Sequence, residues 1–506
     1  MDLTTTLHRG TQRTPDRAAT IFNDRVTSYR DTLDRVRRFA AGLVGVGVGV
    51  GDRVAILSLN SDYFVQYFYA TPWAGGVLVP LNARWSVEEA IFALRDCDAK
   101  VLLVDAAWSP HAARLADACP SLLRIVYADD GQPPPGLTAF AELASSSAMD
   151  DVARGGNDLA GIFYTGGTTG TAKGVMLSHD NLLVSALGGL AEEFLTRGGR
   201  LLHAAPMFHL ADLAGLNTEA LIGGTHVILP SFEPGSVLGA IGAHQVTDTI
   251  LVPTMIQALV DHPSFHDHDL STLRRVVYGA SPMPSLLMAR AQDALPDVGF
   301  LQGYGMTELA PIAAILGPAD HSDGGHRSSA GRAAPHCEIR IVDENDAECP
   351  LETIGEITVR GSNVMLGYWT RPEETSVALR GGWMHTGDGG YMDADGFVYI
   401  VDRMKDMIIT GGENVYSAEV ENVVASHPSV VMCAVIGVPD ERWGERVHAV
   451  VVLREGRTLD PVTLRAFCKK HIAAYKVPHT LDIVDALPLT AAGKVLKRQL
   501  REQHSR

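Results

Sequence analysis

Tyr164-Thr-Gly-Gly-Thr-Thr-Gly-Thr-Ala-Lys-Gly174 follows the apolar run Leu159 to Phe163, setting a loop of glycines, hydroxyls and one lysine directly after a buried strand. Gly166, Gly167 and Gly170 can take positive φ and bring backbone N–H groups up to an anion, while Thr165, Thr168, Thr169 and Thr171 add hydroxyls and Lys173 adds charge. Such a loop suits phosphate. A Walker A loop needs Ser or Thr immediately after its lysine, and Gly174 stands there instead, so P-loop NTPase chemistry is not indicated. Gly and Thr clusters also make ordinary solvated turns, so the rest of the chain must decide.

Outward from this loop, short β-type runs alternate with helical patterns. Arg53 to Leu59, Val77 to Leu81 and Ala99 to Asp105 read as strands; Ser61 to Ala74 and Ser86 to Asp96 read as helices, the second with Ser86 and Glu89 spaced as a capping box. The rhythm recurs through Arg200 to Ala205, Thr225 to Leu229, Ser236 to His244 and Leu273 to Tyr278. This predicts an α/β fold with largely parallel sheets. Ligands in such folds sit at the carboxyl ends of strands, where the Thr/Gly loop and Gly279-Ala280-Ser281 both fall. From about Gly331 to Val401 the texture changes to β runs between Gly and Pro turns, a β subdomain closing a large domain of residues 1–401. After a hinge at 402–405 a mixed pattern resumes: a helix from about Ala418 capped by Ser417, strands Val430 to Ile436 and Val447 to Leu453, a helix Pro461 to Ile472 and a basic amphipathic helix from Val495. Residues 406–506 are enough for a small α+β domain.

The chain has 506 residues, room for roughly three domains. Its 59 acidic against 42 basic residues, a net charge of −17, argue against a nucleic-acid surface or a polybasic membrane anchor. A polyphosphate binder on so acidic a protein must concentrate cations locally, which singles out Lys173, Arg403 and Lys494. Cys97, Cys119, Cys337, Cys349, Cys433 and Cys468 show no CxxC pairing and no metal spacing, so reduced thiols and a cytoplasmic location are expected. Met1 to Arg13 lacks the apolar stretch of a signal peptide, and no transmembrane segment is expected. His262, His266 and His268 lie among Pro and Asp residues and read as a surface loop, not a metal site.

Four further segments follow the loop in order: Gln302-Gly-Tyr-Gly-Met-Thr-Glu308, Gly382-Trp-Met-His-Thr-Gly-Asp388, Asp402-Arg-Met-Lys-Asp406 and Pro488-Leu-Thr-Ala-Ala-Gly-Lys494. Together with the Thr/Gly loop they resemble the adenylate-forming superfamily of acyl-CoA synthetases, luciferases and peptide-synthetase adenylation domains, from about Arg13 to Gln503. The resemblance implies ATP, Mg²⁺ and coenzyme A as cofactors and a small carboxylic acid as substrate. It implies that Thr165 to Lys173 hold the β- and γ-phosphates and that Thr168 and Glu308 hold Mg²⁺. Tyr304 with Gly279 and Ala280 would flank adenine, Thr307 would touch the α-phosphate, and Asp388 and Arg403 would take the ribose hydroxyls. Asp388 also sits in a turn-like Thr-Gly-Asp-Gly-Gly. Lys494 falls where the family brings a lysine onto the α-phosphate and the substrate carboxylate; its neighbour Lys497 reads as a solvated surface lysine. Lys405 resembles the hinge about which the small domain rotates, and Gly411-Gly412-Glu413-Asn414 would then line the pantetheine tunnel.

His209, within Pro206-Met-Phe-His209, resembles an aromatic gate between acyl pocket and thiol tunnel. Ala211 and Gly215, four apart, with Gly303 and Gly305, suggest an open apolar pocket for a medium or longer fatty acid or an aryl acid. Asp212 interrupts that apolar run: pointing inward it would suit a polar or cationic substrate group, and outward it means nothing. Gln302 to Glu308 followed by Pro311 is close to plant coumarate ligases, while Gly411 to Val415 and Gly437 to Gly444 are shared equally with fatty acyl ligases of mycobacterial type. The main rival is a stand-alone adenylation enzyme loading a carrier protein; a luciferase-like oxygenase is a more distant one. Self-association into a homodimer is left open.

Overall fold

The computed structural model describes residues 1–165, 172–281, 283–322, 325–404, 406–440, 442–490 and 495–504. Two large sheets carry the first three hundred or so residues. In one, the strands Val77–Pro80, Arg53–Leu57, Val101–Val104 and Arg124–Tyr127 run parallel. In the other, Gly299–Tyr304, Arg275–Gly279, Asp248–Leu251, Arg200–His203, Thr225–Ile228 and Ala18–Phe22 do the same. Their near-continuous Val, Ile and Leu runs, buried at every position in Val77–Pro80 and Val101–Val104, are what a parallel sheet covered on both faces requires. Helix Val87–Asp96 carries the expected reciprocal Ser86 and Glu89 capping box, and Ser61 caps the helix Asp62–Trp73.

The Thr/Gly loop has an unexpected setting. Strand Leu159–Thr165 pairs antiparallel with Lys173–Ser178, Thr165 facing Lys173, so the chain passes from strand to strand instead of from strand to helix. That topology is a second reason why the segment is no P-loop. Gly166 to Thr171 lie outside the described residues.

A four-stranded antiparallel sheet follows, Cys337–Val342, Gly355–Gly361, Met384–Met392 and Val398–Arg403 in that order. Its third strand corrects the turn-like reading of residues 386–390. The stretch is a bulged strand: Gly387 is left-handed, φ 71°, where the register to Gly355–Gly361 shifts, while Asp388, Gly389 and Gly390 pair with Arg403, Asp402 and Ile400, and a Cβ on Gly390 would come within 2.4 Å of the Tyr399 carbonyl oxygen.

The smaller C-terminal sheet joins Glu413–Val415, Ile408–Thr410, Gly444–Leu453, Val430–Asp440 and Thr480–Ile483 around a core that includes Val420, Val435, Val447 and Leu464. Its helix Ser417–Ala425 has Tyr416 at the N-cap and no side-chain cap; Ser417, expected there, turns its hydroxyl to Asp402 instead. Among the described residues no helix is long and apolar enough to cross a membrane. The six cysteines are free thiols, and Ser264 bonds both His262 and His268.

Candidate active site

Two parallel strands set glycines side by side near their carboxyl ends. Gly279 and Gly303 are register partners, and a Cβ on Gly279 would stand 2.3 Å from the Gly303 carbonyl oxygen, so only glycine fits there. At Gly303 a Cβ would meet the Phe194 ring at 3.4 Å, ordinary van der Waals contact, so this buried ring packs directly over the strand end. Ala280 continues in a left-handed conformation, φ 66°, turning the chain away from the sheet. Gly305 lies against Pro311, whose carbonyl oxygen a Cβ would reach at 1.9 Å, so the backbone passes close enough to begin the short turn Thr307–Leu309.

That turn delivers Glu308 to a buried position. Tyr368 donates its hydroxyl to Glu308 Oε1 at 2.8 Å, and Lys173 Nζ lies 5.1 Å from the Tyr368 ring centroid, so one phenol is flanked by the carboxylate and the lysine of two expected motifs. Tyr368 reaches this place because its strand, Gly367–Tyr368, pairs with Val175 and Met176 next to the Thr/Gly loop. Burial, reinforced by Glu308, raises its pKa far above the usual phenol range and keeps it a donor. Thr165 closes the strand before the loop, its hydroxyl 3.5 Å from the Lys173 carbonyl oxygen.

Across the cleft Asp388 is held from two sides. Tyr304 donates to Oδ2 at 2.9 Å and Arg403 Nε approaches Oδ1 at 2.9 Å, while the Asp388 N–H donates to the Thr386 hydroxyl. Burial, then the Asp388 charge, raises the Tyr304 pKa well above its ordinary value. A carboxylate offers about four lone-pair sites, so one partner on each oxygen leaves capacity for two further donors, such as adjacent hydroxyls. Asp388 is nearly covered, whereas the Arg403 side chain is 40% exposed.

His209 caps the helix Leu210–Ile222 from the extended region, its ring 4.5 Å from that of Phe208. Asn60 pins this corner by accepting from Met207 N–H and donating to the Ala205 carbonyl. The stripe expected from Ala211 and Gly215 does not form. Ala211 is exposed, and a Cβ on Gly215 would strike Ile250 at 2.4 Å and Leu201 at 3.1 Å, so this glycine lets the helix sit down on the sheet. Asp212 points inward, though to a protein partner: its Oδ2 meets His203 Nδ1 at 2.7 Å, and His203 Nε2 meets His226 Nδ1 at 3.0 Å. Burial, then His203, drives the His226 pKa well below its usual value.

Where the chain leaves the large domain, Asp402 Oδ2 accepts from both the N–H and the hydroxyl of Ser417 at 2.5 Å. Lys497 Nζ then donates to the Ser417 hydroxyl at 2.6 Å and meets Glu421 at 2.8 Å. Lys497, expected to be solvated, is therefore a buried anchor, its side chain 14% exposed. Burial works against its charge, yet Glu421 and Asp402 raise its pKa; burial likewise raises that of Glu421 against the pull of Lys497. Gly411 and Gly412 form the left-handed turn of the hairpin Ile408–Thr410 to Glu413–Val415, with Gly411 donating to the Trp443 carbonyl. Lys405 and Lys494 lie outside the described residues. Tyr368 escaped the sequence reading, and the roles of Asp402 and Lys497 did too; each is joined to its place by partners distant along the chain.

Residues 7–369 match the family of AMP-binding enzymes, and residues 419–494 match the AMP-binding enzyme C-terminal domain. The chain belongs to the AMP-binding enzyme family. This AMP-binding enzyme is 40% identical over 500 residues to a feruloyl-CoA synthase of an Amycolatopsis species, covering 98% of this chain and 97% of that one. It is 36% identical over 507 residues to an indoleacetate–CoA ligase of Aromatoleum aromaticum, covering 99% and 98%. The crystal structure of ATP-bound MatB from Rhodopseudomonas palustris superposes with a TM-score of 0.90 at 33% identity, covering 100% of this chain and 99% of that one. The two-domain α/β architecture is thus that of adenylate-forming enzymes.

Proposed function

We propose that this chain converts an aryl-bearing carboxylic acid to its coenzyme A thioester, the wall formed by Tyr304, Asp388 and Arg403 holding the ribose of ATP. The chain is an AMP-forming acid–CoA ligase. A carboxylate oxygen attacks the α-phosphorus of ATP, the bond to the β-phosphate oxygen breaks, and pyrophosphate leaves with that electron pair. The thiolate of CoA then attacks the acyl carbon and AMP departs. Positioning and charge stabilisation are what the protein must supply for both steps.

The observation that carries the reading is the shared hold on Asp388, which fixes an acceptor with spare lone pairs beside a cation at the end of the Tyr304 strand. Glu308, a carboxylate fixed by Tyr368 near Lys173, suits a hard divalent ion and would hold Mg²⁺ with Thr168, which lies outside the described residues. The ion would neutralise phosphate charge. Thr307 would meet the α-phosphate and Lys494 the phosphate and the substrate carboxylate, with residues 402–405 as the hinge that exchanges Lys494 for Gly411 and Gly412. His209 would stand between acid and thiol.

For the acid, the names of the feruloyl and indoleacetate relatives support an aryl substrate over a flexible chain. Asp212 Oδ2 is engaged by His203 within the fold, so the carboxylate does not call for a cationic substrate. Free thiols, three of the six buried, support a cytoplasmic setting.

The test is a panel of arylpropenoic, arylacetic and straight-chain acids assayed for acid-dependent exchange of pyrophosphate into ATP, then for thioester with CoA. Aryl acids should lead in both. Preference for long straight chains would overturn the aryl assignment, and exchange followed by loading of a carrier-protein thiol but not CoA would overturn the acceptor.

A further inference from the structure

Far along the chain from the residues above, His448, Asp482 and His504 converge on the small domain. His448 lies on the strand Gly444–Leu453, Asp482 on its parallel neighbour Thr480–Ile483, and His504 at the end of the helix Lys497–His504. The register sets His448 opposite Thr480 and Val450 opposite Asp482, so these residues share one face of the sheet. The helix packs on that same face through Leu500, which joins Val450, Ala434 and Ile436 in one apolar cluster. One turn beyond Leu500, His504 arrives over the two strands.

The hydrogen bonds orient the rings. His504 Nδ1 lies 2.6 Å from the Leu500 carbonyl oxygen, which can only accept, so Nδ1 carries the proton and Nε2 of the neutral ring presents a lone pair. That lone pair faces Asp482 Oδ2 at 3.0 Å, one acceptor against another. His448 Nδ1 is engaged by the Thr480 hydroxyl at 2.7 Å, and its buried Nε2 has no hydrogen-bond partner, lying 3.9 Å from the same Asp482 oxygen. A proton on His504 would reconcile one pair only. A metal ion would satisfy all three.

We propose that His448 Nε2, Asp482 Oδ2 and His504 Nε2 bind a divalent first-row transition-metal ion of the zinc type. All three atoms lie within 4.8 Å of one another. Bonds of about 2.1 Å in a tetrahedral site put ligand atoms roughly 3.4 Å apart, so small side-chain rotations close the set. Thr480 and the Leu500 carbonyl already hold the outer nitrogens in the way metal-bound imidazoles are held. Arg446, two residues before His448 on the same strand, is the nearby opposing cation; it lies 3.8 Å from Asp440. The fourth position would belong to water. An ion here fastens to the sheet the helix Lys497–His504, which follows Lys494 in the chain.

The full-length chain, stripped with a chelator, should be titrated with Zn²⁺ by calorimetry and with Co²⁺ by visible absorption, alongside Asp482→Asn and His504→Gln. Both positions are at the edge of the domain, and circular dichroism checks that the variants fold. The chain has 19 histidines, so the difference between wild type and variants is the decisive reading. Expected are one equivalent more in the wild type than in either variant, tetrahedral Co²⁺ bands in the wild type alone, and a Zn²⁺-dependent rise in unfolding temperature that both variants lose. Equal stoichiometry and affinity in all three proteins, or Co²⁺ bands that persist in both folded variants, would overturn the site.

Discussion

Arg403 and Asp402 are consecutive on one strand and serve different bodies. Arg403 reaches Asp388 in the large domain's antiparallel sheet, part exposed at an open cleft, while Asp402 points the opposite way and takes both polar hydrogens of Ser417 in the small domain. The first arrangement leaves lone pairs on Asp388 for an incoming molecule. The second uses up its own members, Asp402, Ser417, Lys497 and Glu421 bonding one another with little exposure. Strand alternation alone therefore separates a surface that waits for a ligand from a joint that is complete without one. Changes at the first should show in binding, and changes at the second in stability.

The largest expected effect falls on the joint. Lys497→Met keeps the length of the side chain and leaves the partly buried Glu421 without its cation, which should cost about 2 kcal/mol. Hydrogen exchange should show the loss in residues 408–504 and not in the large domain. A loss below about 1 kcal/mol would mean that the network is solvated and that the two regions differ less than described.

A smaller effect is expected at the wall. Tyr304→Phe removes the hydroxyl holding Asp388 Oδ2, a loss of about 1 kcal/mol. Read as binding, this is roughly a fivefold rise in KM for ATP with kcat little changed. An unchanged KM together with a lower unfolding temperature would make Tyr304 a structural residue and erase the contrast.

Local chemistry made part of this legible. The Thr/Gly loop, Gln302 to Glu308 and Arg403 stand out because glycines and isolated charges in short motifs have few other uses, and the Ser86 and Glu89 cap is complete within four residues. What stayed hidden depends on partners far apart. Thr386 to Gly390 looks like a turn until the flanking strands show it to be a bulge within one strand. Tyr368 meets Glu308 only because its strand pairs with Met176, and Lys497 follows an amphipathic pattern that places it outside, while its partner Ser417 lies 80 residues earlier. The four-residue spacing of Ala211 and Gly215 cannot tell a ligand from a sheet, and Ile250 decides it. Asp212 was legible as an anomaly, its resolution by His203 was not.

The central claim is that one cleft runs acid activation and thioester formation with different groups, Lys494 serving the first alone. Its most direct test is Lys494→Ala, assayed separately for pyrophosphate exchange with ATP and acid, and for thioester formation from synthetic acyl-AMP and CoA. The account predicts a fall of about 10²-fold or more in the first, the scale of losing one charge-stabilising group, and near-normal rates in the second. Equal loss of both half-reactions in a folded variant would contradict it.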